Sequence, residues 1–166
     1  MMLKLPREVE ADPRHDAIAK LLAQDMRQLW ERGTIKVSHV PNSPALEQAL
    51  DDAQRDRQLE RGLEKIETLL RAEQKGITEL REKQGQEPAN RVSRLLIIPD
   101  ECPERFYRSC ESLLFKNSDR LLGLRVNVPY NVFAQHLFGE GALVKVLLIS
   151  DRKASANVLF ALVHGR

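Results

Sequence analysis

Apolar positions first recur at helical spacing after Asp12, at Ile18, Leu21, Leu22, Met26 and Leu29, with Trp30 beside them. Asp12-Pro13 supplies a capping side chain and a proline suited to a first helical turn, and Gly33 stands where a helix-ending glycine would. This predicts a helix over 13–32. The period then shortens. In Thr34–Val40, Ile35 and Val37 alternate with polar neighbours, which predicts a short strand at a sheet edge or an extended connector.

Ser43-Pro44 repeats the cap-and-proline signal, and good helix formers follow to about Gln84 without a proline. One helix of that length would run about 60 Å at about 1.5 Å per residue. Leu59, Leu63, Ile66, Leu70, Ile77 and Leu80 fall on alternating steps of four and three, with Glu73 in the one missed slot. That is a coiled-coil seam about three heptads long. Charges of both signs cover its remaining surface, as on a solvated helix laced with i,i+4 pairs. Gly62 and Gly76 weaken the helix, and "DDAQRDR" over 51–57 offers almost no apolar face, so two segments, 44–56 and 58–84, are the alternative.

The linker "GQEPAN" precedes a change of pattern. Residues 94–98 are an unbroken aliphatic run, read as a buried strand. Pro103 opens a helix with Phe106, Tyr107, Cys110, Leu113 and Leu114 on one face. Leu122, Leu124, Val126 and Val128 alternate strictly, as in a strand. A short helix over 131–138, capped by Asn131, leads to a Gly139-Glu140-Gly141 turn and a strand over 143–149. For 153–163 helix is favoured over strand, because Ala154, Ala156 and Ala161 suit it. The order β-α-β-α-β-α predicts an α/β fold with a mostly parallel, three- to four-stranded sheet. The expected organisation is a helical, coiled-coil-like segment over 1–88, with a short strand near 34–40, and a small α/β domain over 89–166.

Composition narrows this only slightly. The chain has 166 residues, 30% of them charged, and a net charge of +2, too small to select a partner. Residues 89–166 carry eleven Lys/Arg against seven Asp/Glu, a modest basic excess. No apolar run approaches the roughly 18 residues of a membrane span, and Met1–Asp16 lacks a signal-peptide core. With two cysteines, Cys102 and Cys110, these features predict a cytoplasmic protein with free thiols.

The candidate chemistry centres on a phrase that occurs twice. "RLLIIPD" and "KVLLISD" each run from a basic residue through an aliphatic stretch to an aspartate. Were these strands parallel neighbours, Asp100 and Asp151 would meet at the carboxyl edge of the sheet and could hold Mg²⁺ with a nucleotide. The plainer reading makes both aspartates turn and cap residues, and it is the stronger. A possible nucleic-acid face is Arg120, Arg125, Arg152 and Lys153. The sequence contains no glycine-rich phosphate loop, zinc spacing or nucleophile–base pattern, so no catalytic residue and no cofactor are assigned.

Three functions remain. The leading one is a non-enzymatic adaptor or assembly component, whose helix seam binds another protein or a second copy of the chain and whose small α/β domain is a further interaction module. The second is an RNA-binding protein using the basic C-terminal domain. The third is a Mg²⁺- and nucleotide-binding enzyme using Asp100 and Asp151.

Overall fold

The computed structural model describes residues 3–85, 90–142 and 145–164. Its elements are α1 (Arg7–Glu10), α2 (His15–Gln24), β1 (Met26–Gln28), β2 (Lys36–Val40), α3 (Pro44–Arg55), β3 (Leu59–Arg61), α4 (Leu63–Gln84), β4 (Arg94–Asp100), α5 (Glu104–Lys116), β5 (Leu121–Pro129), α6 (Tyr130–Phe138), β6 (Leu147–Ile149) and α7 (Arg152–Ala161). One six-stranded sheet joins them in the order β1-β2-β5-β4-β6-β3.

The aliphatic runs explain the sheet's central position. Along β4, Leu95 and Ile97 belong to one core cluster and Leu96 and Ile98 to the other. In β6, Leu147 and Ile149 face the first cluster and Leu148 the second. A strand buried on both faces needs apolar side chains at every position, and this produces a run rather than an alternation. Helices α2, α3, α6 and α7 supply the first cluster, and α4 and α5 the second. The result is a layer of strands between two layers of helices.

Mixed α/β architecture is as expected, but the sheet is larger and less parallel than the sequence suggested. Only β2/β5 and β5/β4 are parallel. The pairs β1/β2, β4/β6 and β6/β3 are antiparallel. The two repeated phrases are indeed neighbouring strands, but they run in opposite directions, pairing Leu95 with Ile149 and Ile97 with Leu147. The repeat therefore records two doubly buried strands side by side. The segments 1–88 and 89–166 share this sheet, since β1, β2 and β3 come from the first and β4, β5 and β6 from the second.

The long coiled-coil-like helix is absent. Helix α3 stops at Asp56, and Arg57 takes a left-handed conformation with φ of 59°. Leu59–Arg61 then pairs with Leu147–Ile149 as the outer strand β3. Gly62, at φ of 93°, turns the chain into α4, a conformation that a side chain would resist. The charge-rich stretch 51–57 buries only Ala53, and the chain turns at its end. Gly76 lies inside α4 without breaking it.

The helix expected over 13–32 is also shorter. It ends at Gln24, and Met26–Gln28 forms edge strand β1. Ile18, Leu21 and Leu22 bury in the first core cluster, whereas Leu29 buries in the second, on the far side of the sheet. A straight helix cannot serve both faces. Strand β2 lies inside the sheet between β1 and β5, not at an edge. Asn131 does not cap α6, because Pro129 holds that position with no side-chain cap bond. The strand expected over 143–149 is observed at 147–149, and residues 143–144 lie outside the described residues. Helix α7 takes the helical option for 153–163.

Candidate functional site

The predicted seam residues divide among three environments. Leu59 is on β3, opposite Ile149. Ile66 and Leu70 are fully buried beneath the sheet's second face, and Leu63 packs against the same cluster. Ile77 is half-buried, and Leu80 is 52% exposed. Beyond Leu70 no residue of α4 is fully buried. The remaining fourteen residues, Arg71–Gln84, span about 21 Å of helix.

Polar bonds, rather than a core, anchor this distal half. Arg120 is 4% exposed. Its guanidinium donates to Glu73 Oε1 at 2.7 Å, the Leu70 carbonyl at 3.0 Å, Asn117 Oδ1 at 3.3 Å and Gln74 Oε1 at 3.4 Å. Arg94 also reaches Glu73, at 3.3 Å, and Arg81 pairs with Asp119 at 3.0 Å. Arg120, predicted as a nucleic-acid contact, is therefore the bolt between α4 and the α5–β5 turn. Beside it a groove of about 470 Å³ runs between α4 and the end of α5, lined by Gln74, Thr78, Leu113 and Lys116 among others.

At the carboxyl end of the parallel strands, Asp100 accepts a hydrogen bond from Arg125 Nε at 2.7 Å. Arg125 also stacks on Tyr107, its guanidinium carbon 4.7 Å from the ring centre. The His39 ring has one nitrogen 3.4 Å from Asp100 and the other 3.5 Å from Asp25. Asp25 is clasped by Arg27, which with His39 holds its carboxyl below the usual range. Tyr107 donates to the Pro99 carbonyl at 2.8 Å and accepts from the Cys102 amide. Burial pushes the Tyr107 phenol up to about 12 and the Cys102 thiol up to about 11. Glu101, between Asp100 and Cys102, is left-handed with φ of 63°. The network staples β1, β2, β4 and β5 together, and burial keeps the thiol protonated.

Asp151 is elsewhere. Because β4 and β6 are antiparallel, it sits at the opposite end of the sheet from Asp100, where it caps α7 by accepting the Ala154 amide at 2.9 Å. No group of three or more metal-ligating side chains forms among the described residues. Arg152 and Lys153 are exposed on the first turn of α7, and Arg125 lies at the other sheet end in its pair with Asp100. The four predicted cationic residues thus do not share a face.

A further pair that the sequence did not signal joins α3 and α6. His136 Nδ1 lies 3.2 Å from Glu47 Oε2, and Asn42 donates to Glu47 Oε1 at 2.8 Å. Glu47 and His136 are far apart in sequence and meet only because α3 and α6 cover the same sheet face. No local spacing could have signalled them. A second groove, of about 300 Å³, runs between α3 and α7 over Ala49, Ala53 and Ala154, with Arg14 stacked at 4.1 Å on Phe160.

No family model and no curated protein matches the chain. Among solved structures it is similar to a protein of unknown function from Bacillus halodurans C, at 14% identity and a TM-score of 0.46, over 73% of this chain and 98% of that one. No helix among the described residues is long and apolar enough to cross a membrane.

Proposed function

We propose that the protein is a non-enzymatic assembly component that pairs with a second copy of itself through the distal half of α4. The α/β layer is the rigid body carried by that contact. One observation supports this reading above others: the apolar stripe that buries Ile66 and Leu70 continues past the core to half-covered Ile77 and exposed Leu80. A stripe that outruns its own core is cover for another surface. Between Glu64 and Lys83 the helix holds five acidic and five basic side chains, so it has no bias toward an oppositely charged partner. Mixed signs of this kind can be met by an antiparallel copy of the same helix.

Hydrogen exchange at two protein concentrations tests the contact. Amides of 74–84 become slower to exchange as concentration rises, while those of β4 and β5 do not change. Exchange in 74–84 that is independent of concentration would remove α4 as the self-association surface.

A further inference from the structure

We draw no further inference here: the strongest candidate, the Glu47–His136 pair between α3 and α6 with the buried, unpartnered Oδ1 of Asn42 beside it, carries nothing, because neither main groove reaches it and no third metal-ligating side chain joins it among the described residues, so no substrate or metal can be named.

Discussion

Replacing Arg120 with methionine keeps the bulk of the side chain and deletes its charge. Four acceptors lose their bond from Arg120: Glu73, the Leu70 carbonyl, Asn117 and Gln74. Breaking a buried pair from one side costs about 3–5 kcal/mol, because the abandoned partner stays desolvated. Glu73 keeps Arg94 at 3.3 Å and is partly open to water, which places the loss near the lower limit. For a chain of 166 residues, a loss of about 3 kcal/mol lowers Tm by about 6–12 °C. Urea unfolding followed by circular dichroism reads it as a lower midpoint at unchanged slope. The double variant Arg120→Met with Glu73→Met removes both charges and should recover at least half of the loss, since an apolar replacement of a whole buried pair is often neutral. A single variant within about 0.5 kcal/mol of the parent, or a double variant equal to the sum of the singles, refutes the bolt.

Three further predictions follow from packing and titration. Gly123→Ala would put a methyl 2.9 Å from Leu114 Cδ1 and 3.1 Å from Val37 Cγ1, so overpacking should cost about 1–3 kcal/mol in the same unfolding assay. Cys102 holds its proton to about 11, against an ordinary value near 9.0, and burial raises Cys110 as well. The unfolded thiols therefore ionise first, and stability that is intact below about pH 9 falls as pH rises toward 11. A flat stability profile across that window would contradict the burial of these thiols. The fragment 89–166 lacks β2, β3 and α4, which leaves β5 and β6 paired only with β4 and strips part of the cover from the second core face, so its circular dichroism should be that of a largely unfolded chain.

The Arg120 contacts also change how the RNA reading must be tested. As a test of RNA binding, Arg120→Glu would bury a carboxylate beside Glu73, so any lost binding would report misfolding. Arg152→Glu with Lys153→Glu, both exposed, is the clean variant, and binding of an oligonucleotide that this pair abolished while Tm held would support that reading over self-association.

Much of the fold was legible where burial alone decides the pattern. The unbroken run of 94–98, the one-sided helix after Pro103 and the alternation in 121–128 each became the element they predict. Strand direction was not legible. The repeated phrase looks the same whether β4 and β6 run parallel or antiparallel, because both faces are buried in either case. Nor was β3, a three-residue strand whose Leu59 also satisfies a heptad. Periodicity cannot separate an apolar residue that faces a partner chain from one that faces its own sheet. Ile66 and Leu80 fit one seam, yet one is fully buried and the other half exposed. The charge network at Asp100 and the bolt at Arg120 were hidden for a different reason. Each joins side chains brought together by the sheet, across separations of 25 to 61 residues around Asp100 and of 47 between Arg120 and Glu73.

The distal half of α4 is proposed to join two copies of the chain. Its most direct test is absolute mass in solution, by light scattering during size-exclusion chromatography, for the parent and for Leu80→Glu across a range of concentrations. Leu80 is 52% exposed and belongs to neither core cluster, so the variant should keep the Tm that the parent shows at concentrations where it is a monomer. Self-association through α4 predicts a parent that moves from one chain mass to two as concentration rises, and a variant that stays at one. A parent that remains a monomer at every concentration, or a dimer that survives the substitution, would contradict it.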